Sequence, residues 1–249
     1  MKTKIGVTTS SFGLESPAHA MQRADSLGFD YIQLSGIDYF LRQNPCHGRT
    51  NAVNFIKANE GRVYSISVPL AVPEKWAEEI KNAFFVASQS RVKILSGHAV
   101  NKGTKYNAVY LAAVLRGLKN AGIRFAVETG TESPQELYAA LQQLDPSVGV
   151  SFDLANFLIN RTATLEQALS SLRIPEFAER IFQVHIKDAV EGEERILGKG
   201  NVDVKRYIHA VQQAGYTGPL ILETGGDLKE RYNKTVESKK ALDKILEGL

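Results

Sequence analysis

Residues 181–188 read IFQVHIKD, and this stretch decides the fold because it joins an apolar run of strand length to polar side chains at its end. Side chains two apart on a strand share a face, so His185 and Lys187 are predicted to point the same way. Three other apolar runs end in a carboxylate. They are IRFAVE ending at Glu128, VGVSFD ending at Asp153 and PLILE ending at Glu223. Packing alone does not explain four consecutive runs of this kind, which indicate strand ends that share a site.

Outward from this stretch, short apolar runs alternate with segments of helical periodicity. The runs predicted as strands are residues 4–8, 29–34, 62–68, 91–95, 123–128, 148–153, 181–188 and 219–223. Strict alternation of strands and helices implies parallel strands with helical crossovers. Eight such units in 249 residues predict an α/β fold, a (β/α)8 TIM barrel that forms a single domain over residues 1–249. Residues 35–49 are predicted to be a loop with one turn of helix, and residues 106–120 a helix.

An open, doubly wound sheet is the competing architecture. That fold usually carries a glycine-rich phosphate loop after its first strand, and TTSSFG at residues 8–13 is not such a loop. The barrel is therefore the preferred interpretation.

The composition narrows the class of protein. Hydrophobic residues make up 43% of the chain and charged residues 23%, which is ordinary for a globular protein with a full core. The formal charge of +3 disfavours nucleic acid as the main partner. A single cysteine allows no internal disulfide, and no apolar run approaches the length of about 20 residues that a membrane span needs. We expect a soluble, cytoplasmic protein without a membrane partner.

The four polar strand ends predict a metal site. In a TIM barrel the functional site lies at the carboxyl ends of the strands, so Glu128, Asp153, His185 and Glu223 should converge there. Three converging carboxylates without a cation would repel one another, and at least one pKa would rise. Oxygen-rich ligation favours Mn²⁺, with Mg²⁺, Co²⁺ and Zn²⁺ as alternatives. Taken singly, each of these side chains could instead be a solvated loop residue or a hydrogen-bonded core residue.

Longer motifs resemble a known family. They are LGFDYIQLSG, GIRFAVET, VGVSFDLAN, FQVHIKDA, LGKGNVDVKRYI and GYTGPLILET. In this order the chain resembles the sugar isomerase/epimerase superfamily of xylose-isomerase-like TIM barrels, which includes D-tagatose 3-epimerase and inosose isomerases and dehydratases. The resemblance implies that Glu128, Asp153, His185 and Glu223 bind one divalent metal ion. It also implies that Glu128 and Glu223 form the acid/base pair.

The chain departs from the family pattern at three positions. The motif after the sixth strand usually reads D-x-x-H, and Asn156 stands at the histidine position. At the end of the second strand, where an acidic residue is common, this chain has Gln33. The loop after the seventh strand carries Lys199 where a glutamate is usual. The first two changes concern substrate contacts more than metal binding.

Together these features predict a divalent-metal-dependent sugar isomerase or epimerase. A keto sugar or related polyol ketone would lose a proton next to its carbonyl, and the metal would stabilise the resulting enediolate. A dehydratase acting on an inosose-like substrate is the alternative, and a non-catalytic sugar-binding barrel is a further one. An apurinic endonuclease of the trinuclear zinc type would need more histidines around the mouth than this sequence supplies.

Several further side chains are candidates for substrate binding. They are Lys187, Asn156, Gln33, His98 and Arg195. Each also has a structural alternative, such as an ion pair for Lys187 or a hydrogen bond to a loop for the amides. The expected partner is a small-molecule sugar or polyol, and assembly into a homo-oligomer is left open.

Overall fold

The computed structural model describes residues 3–13, 16–68, 76–97 and 117–249. Eight parallel strands form a closed barrel in the order β1-β10-β7-β6-β5-β4-β3-β2. The strands are β1 (Ile5–Thr8), β2 (Tyr31–Ser35), β3 (Val63–Ser67), β4 (Ile94–Gly97), β5 (Arg124–Glu128), β6 (Val148–Asp153), β7 (Ile181–Ile186) and β10 (Leu220–Leu222). The predicted (β/α)8 barrel is therefore confirmed.

Helices surround the barrel and follow the strands along the chain. In the described residues they are α1 (Pro17–Ser26), α2 (Asp38–Gln43), α3 (Gly48–Ala58), α4 (Trp76–Ser90), α5 (Pro134–Gln142), α6 (Leu154–Asn160), α7 (Leu165–Ser171), α8 (Pro175–Ala178), α9 (Val204–Gln213) and α10 (Arg231–Glu247). In the part of the chain that the structure describes, every helix is too short or too polar to cross a membrane.

Local sequence signals explain where several helices begin. Ser133 caps α5 through a reciprocal pair of hydrogen bonds with Glu136, and Thr164 caps α7 in the same way with Gln167. Such capping boxes satisfy backbone N–H groups that would otherwise lack a partner. Proline at the first position of α5 adds a backbone angle that is already helical.

Three segments differ from the prediction. Residues 35–49 contain the six-residue α2 and the start of α3 at Gly48, more helix than the single predicted turn, and α6 follows β6 directly, where no element is predicted. The stretch 181–188 ends as a strand at Ile186, and the chain then turns into an antiparallel hairpin of β8 (Asp188–Val190) and β9 (Glu193–Arg195). Of the helix predicted over residues 106–120, the first 11 residues lie outside the described ranges.

The seam between β6 and β7 requires a glycine. The register between these strands shifts at Val150 and Ser151. A Cβ atom at Gly149 would overlap the carbonyl oxygen of Arg180 and the ring of Phe182. Because only glycine permits this approach, the position helps fix the register that brings Asp153 level with His185.

Candidate metal centre

Three polar side chains converge at the carboxyl-terminal mouth of the barrel. Asp153 ends β6 and pairs in register with His185 on β7. Glu223 follows β10, and its backbone N–H donates to the carbonyl of Ile186 over 3.1 Å. One ligand atom from each of Asp153, His185 and Glu223 lies within 4.8 Å of the other two.

The carboxylate of Asp153 is held by the start of α6. Its Oδ1 accepts a hydrogen bond of 3.1 Å from the backbone N–H of Asn156 and so caps that helix. Its backbone N–H donates to Thr129 Oγ1 over 2.8 Å, and the hydroxyl of Thr129 donates back to the Asp153 carbonyl over 3.0 Å. These bonds fix one carboxylate oxygen and leave Oδ2 directed at the cluster.

The imidazole of His185 is equally constrained. Its Nε2 lies 2.7 Å from Gln33 Oε1, and its backbone carbonyl accepts a 3.1 Å hydrogen bond from the hydroxyl of Tyr207. The same hydroxyl lies 2.9 Å from the carbonyl of Phe152 and therefore ties the ends of β6 and β7 to α9. The second ring nitrogen, Nδ1, lies 3.1 Å from Glu223 Oε2.

The atoms that face one another in this cluster are Asp153 Oδ2, His185 Nδ1 and Glu223 Oε2. All three are buried, and their contacts are ion pairs: Nδ1 lies 3.1 Å from Glu223 Oε2, and Lys187 Nζ lies 3.1–3.3 Å from the two carboxylate oxygens. Two carboxylates buried side by side repel each other unless positive charge offsets that repulsion. Two carboxylate oxygens and an imidazole nitrogen form a donor set that suits divalent metals. The residues present therefore fit a divalent cation, and the donor set leaves its identity open.

Lys187 supplies a positive charge beside these oxygens. Its Nζ lies 3.3 Å from Asp153 Oδ2, 3.1 Å from Glu223 Oε2 and 3.4 Å from Glu194 Oε1. It also donates to Asn156 Oδ1 over 3.2 Å. The side chain is only 6% exposed, so the charge is largely removed from water. The ammonium group thus shares Asp153 Oδ2 and Glu223 Oε2 with any cation bound in the cluster.

Mutual charge attraction governs the protonation of the cluster. Burial alone would lower the pKa of Lys187, but Asp153, Glu223 and Glu194 raise it well above its ordinary value. Burial alone would raise the pKa of Glu223, but Lys187 and His185 hold it well below its ordinary value. The pKa of His185 is raised because the Glu223 carboxylate outweighs the opposing effect of burial. Lys187 and Glu223 are therefore charged at neutral pH.

Glu128 lies near this cluster but outside the group of three. It ends β5 and is buried, and its register partner is Ser151, two residues before Asp153 on β6. Its negative charge contributes to the raised pKa of His185 after the larger effects of burial and Glu223. The structure thus brings three of the four predicted metal ligands together, and the ligand role of Glu128 stays a prediction.

The hairpin after β7 adds a carboxylate that sequence patterns did not single out. Glu194 contacts Lys187 and accepts a 2.5 Å hydrogen bond from the N–H of Gly225. Its neighbour Arg195, one of the predicted substrate-binding residues, pairs with Glu193 over 2.8 Å and is 41% exposed, and its substrate role stays a prediction. Neighbouring side chains on a strand point to opposite faces, so Glu194 faces Lys187 while Arg195 faces outward. The short hairpin has no apolar run from which this strand could have been predicted.

Asp188 organises the loop that carries this hairpin. Its carboxylate accepts hydrogen bonds from the backbone N–H groups of Ala189, Gly198, Gly200 and Val202. A Cβ atom at Gly200 would overlap this carboxylate, so the glycine lets the loop close around Asp188. The loop in turn holds the hairpin over the mouth of the barrel.

The remaining substrate-binding candidates have different surroundings. Asn156 accepts a hydrogen bond from Lys187 at the edge of the cluster, a position that is compatible with its predicted substrate contact. Gln33 is 1% exposed and lies on the Nε2 side of His185, whereas the candidate ligand atom of that ring is Nδ1. His98 lies outside the described residues.

Comparison with known proteins places the fold of this chain among related barrels. The family model described as "Xylose isomerase-like TIM barrel" matches residues 21–245 of the chain. The xylose isomerase domain protein from Planctomyces limnophilus superposes with a TM-score of 0.78 at 20% identity, covering 98% of each chain.

Two further solved structures share the fold. The IOLI protein, solved with a zinc atom bound, has a TM-score of 0.74 at 16% identity and covers 97% of this chain and 96% of its own. The D-allulose 3-epimerase from Methylomonas sp., in complex with D-allulose, has a TM-score of 0.73 at 17% identity, with 98% and 96% covered. At such identities these likenesses establish the fold alone.

One curated relative has a different length. The DELLA protein GAI of Gossypium hirsutum is 23% identical over 221 residues, which make up 76% of this chain but 41% of that protein. The chain therefore spans less than half the length of the curated relative it matches.

Proposed function

We propose that this chain, which belongs to the xylose isomerase-like TIM barrel family, is a divalent-metal-dependent sugar isomerase or epimerase. Its reaction would move a proton next to the carbonyl of a keto sugar or related polyol ketone. The observation that carries the proposal is the convergence of three buried ligand atoms, within 4.8 Å of one another, at the mouth of the barrel. Neighbours of the same fold include an epimerase in complex with D-allulose and a protein with zinc bound, which supports a sugar and a metal as ligands.

The proposed metal ligands are Asp153 Oδ2, His185 Nδ1 and Glu223 Oε2, with Glu128 as a fourth. A divalent cation held there would act as a Lewis acid that polarises the substrate carbonyl. Asp153 is fixed by its role as a helix cap, and His185 by its contact with Gln33. The protein thus orients these ligands in advance of binding.

The proton transfer is assigned to Glu223 and Glu128. The pKa of Glu223 lies well below its ordinary value because Lys187 and His185 outweigh its burial, so it is ionised at neutral pH. Its side chain is 25% exposed at the mouth, where a substrate would arrive. If both glutamates act from opposite faces of one carbon, the centre is inverted. If one acts alone, the proton is relocated and the aldose and ketose forms interconvert.

Lys187 is assigned to the substrate oxygens. Its ammonium group has the charge to donate a hydrogen bond to a developing oxyanion next to the metal. Asn156 positions that ammonium group through its side-chain oxygen. The Asn156 amide would also be available to a sugar hydroxyl.

Solvent deuterium uptake tests the proposal. Purified protein is incubated with keto sugars, inososes and their phosphates in D₂O containing Mn²⁺, and exchange is followed by proton NMR. We expect exchange next to the carbonyl of at least one substrate, with a loss of about 10²-fold or more in Glu223→Gln and in Glu128→Gln, as for removal of a general acid or base. Glu193→Gln, an exposed carboxylate on the β8–β9 hairpin, is the matched control.

The other outcomes identify the alternatives. A new ultraviolet absorbance from an unsaturated product would favour a dehydratase. Sugar binding without exchange or turnover on the whole panel would favour a non-catalytic barrel, and unchanged exchange in both glutamine variants would refute the assigned acid/base pair.

A further inference from the structure

The loops after the last two barrel strands, β7 and β10, lie beside the metal centre. In TIM barrels these two loops frequently bind a phosphate group through their backbone N–H groups. In this chain, carboxylates of the protein itself accept hydrogen bonds from both loops. Asp188 accepts four in the loop after β7, and Glu194 accepts one from Gly225 in the loop after β10. Protein side chains therefore occupy the places that a phosphate takes in such barrels.

Glu194 fills a position that has the features of an anion site. Its Oε2 lies 2.5 Å from the backbone nitrogen of Gly225, and its Oε1 lies 3.4 Å from Lys187 Nζ. One carboxylate thus joins a backbone N–H group to an ammonium group that is only 6% exposed. Backbone N–H groups and lysine ammonium groups are common partners of phosphate and carboxylate. The anion position between Lys187 Nζ and the Gly225 N–H therefore suits an anion, and Glu194 supplies it.

Gly225 permits the close approach of this carboxylate. A Cβ atom at Gly225 would lie 2.5 Å from Glu194 Oε2 and 2.8 Å from the carboxylate carbon. Both distances are too short for a real contact, so a larger residue would push the carboxylate away from the backbone N–H. The glycine and the glutamate thus belong to one arrangement.

The β8–β9 hairpin brings Glu194 to this place. Ala189 and Glu194 are register partners, and the two residues of the turn, Glu191 and Gly192, have φ angles of 52° and 84°. Two positive φ angles in a two-residue loop are typical of the tight type I′ turn, whose twist matches that of the strands. Asp188 fastens the first strand of the hairpin to the following loop. The hairpin is therefore held at both of its strands.

A second anion at this position would meet several negative charges. Lys187 already contacts Asp153 Oδ2 and Glu223 Oε2 in addition to Glu194. A phosphate group that approached the same ammonium group would have to displace the Glu194 carboxylate or lie beside it. Like charges placed side by side strongly disfavour the wrong partner. A sugar hydroxyl has no charge and can donate a hydrogen bond to the same carboxylate.

We infer that Glu194 is a specificity-determining residue that fills the anion position between Lys187 and Gly225, so that uncharged keto sugars or polyol ketones are accepted and their phosphates are rejected. This inference rests on the proposed function, because it concerns the substrate of the proposed reaction. Two properties follow. The anion position should bind a small anion once the Glu194 carboxylate is removed, and the preference for uncharged substrates should then fall.

Removal of the carboxylate tests the anion position without any turnover. Glu194→Ala is compared with the unmodified protein and with Glu193→Ala, whose carboxylate is 69% exposed on the same strand, in sodium formate and in sodium chloride of equal ionic strength. Formate at about five times its dissociation constant should raise the melting temperature of Glu194→Ala by about 2–4 °C more than chloride does. In ¹⁵N–¹H spectra the Gly225 amide resonance should move upfield in Glu194→Ala and return with formate or inorganic phosphate. Neither effect is expected in the unmodified protein or in Glu193→Ala.

Solvent deuterium uptake tests the specificity with pairs of a keto sugar and its phosphate. The ratio of kcat/KM for the sugar to kcat/KM for its phosphate should fall about 10-fold or more in Glu194→Ala. It should stay within about 2-fold in Glu193→Ala, which changes only a surface pair. Glu194→Gln keeps the side-chain volume and covers the case in which Glu194→Ala does not fold. Its ratio should also fall, because an amide carries no negative charge.

Two kinds of result would overturn the inference. One is a Gly225 resonance in Glu194→Ala that neither formate nor phosphate moves. The other is a sugar-to-phosphate ratio that is unchanged in both Glu194 variants, or an unmodified protein that turns over the phosphate as well as the sugar. If no compound exchanges deuterium, the proposed function fails. Inorganic phosphate that binds to Glu194→Ala but not to the unmodified protein would then still support the role of Glu194 at the anion position, and equal binding to both would refute it.

Discussion

Replacing Lys187 by methionine should make the stability of the protein depend on a divalent metal. The ammonium group lies 3.3 Å from Asp153 Oδ2 and 3.1 Å from Glu223 Oε2 and is charged at neutral pH. Methionine fills a similar space but leaves those two carboxylates without their counter-charge. Removing one partner of a buried ion pair typically destabilises a protein by about 3–5 kcal/mol.

That free energy can be converted into a melting temperature. For a chain of this size, 1 kcal/mol corresponds to about 2–4 °C, so metal-free Lys187→Met should melt about 6–20 °C below the unmodified protein. A divalent cation whose concentration is 100 times its dissociation constant adds about 2.7 kcal/mol to the free energy of unfolding. Because the cation no longer shares two oxygens with an ammonium group, it should bind more tightly in Lys187→Met and recover much of the loss.

Differential scanning calorimetry in EDTA and in Mn²⁺ or Zn²⁺ measures both effects. Lys199→Met is the matched control, because Lys199 is 64% exposed and its 3.1 Å pair with Glu237 is worth about 0–1 kcal/mol. The reasoning is refuted if Lys187→Met melts like the unmodified protein in EDTA, or if metal raises its melting temperature no more than it raises that of the unmodified protein.

Three further predictions concern the surroundings of the centre. Tyr207→Phe should lower the free energy of unfolding by about 1–3 kcal/mol, because the carbonyl of His185 loses a buried donor; urea unfolding checks this, and an unchanged midpoint would contradict it. Gly149→Ala should lower the free energy of unfolding by more than about 3 kcal/mol, because a Cβ atom would overlap the Arg180 carbonyl. Thermal unfolding measures this loss against that of Gly28→Ala, where about 1 kcal/mol is expected, and equal losses in the two variants would refute the overlap. Arg195→Ala should leave deuterium exchange within about 2-fold, because a surface pair contributes little, and a large loss would instead support the predicted substrate role of Arg195.

The barrel could be predicted from the sequence because its signal is repeated. Each strand is a short apolar run, and the alternation with helices leaves few topologies that fit. The boundaries of helices and strands are harder to predict where one residue both ends a strand and caps the helix that follows. Asp153 both ends β6 and caps α6, so the sequence pattern identified the strand but not the helix that begins directly after it.

The site was predicted in part for the same reason. Asp153, His185 and Glu223 stand at strand ends, where the fold brings them together whatever their neighbours are. The position of Glu128 depends on the stagger between β5 and β6, which pairs it with Ser151 rather than Asp153. Stagger is a property of the closed barrel and cannot be read from spacing along the chain.

Two kinds of residue were outside the reach of sequence reasoning. Glu194 reaches Lys187 only because a short hairpin folds back over the mouth, and its three-residue strands carry no periodic pattern. Gln33, a predicted substrate-binding residue, lies on the Nε2 side of His185 among other buried polar side chains, and its substrate role stays a prediction. Its depth in the barrel follows from the register of β1 and β2, which pairs it with Thr8.

The central claim is most directly tested by the metal content of the purified protein. After removal of bound metal and dialysis against Mn²⁺ or Zn²⁺, mass spectrometry of the digested protein should find one divalent ion per chain. Asp153→Asn and His185→Ala should retain less than about a tenth of that content with the helical circular dichroism unchanged, since each removes a ligand atom. A protein that takes up neither metal, or variants that bind as much as the unmodified chain, would contradict the account.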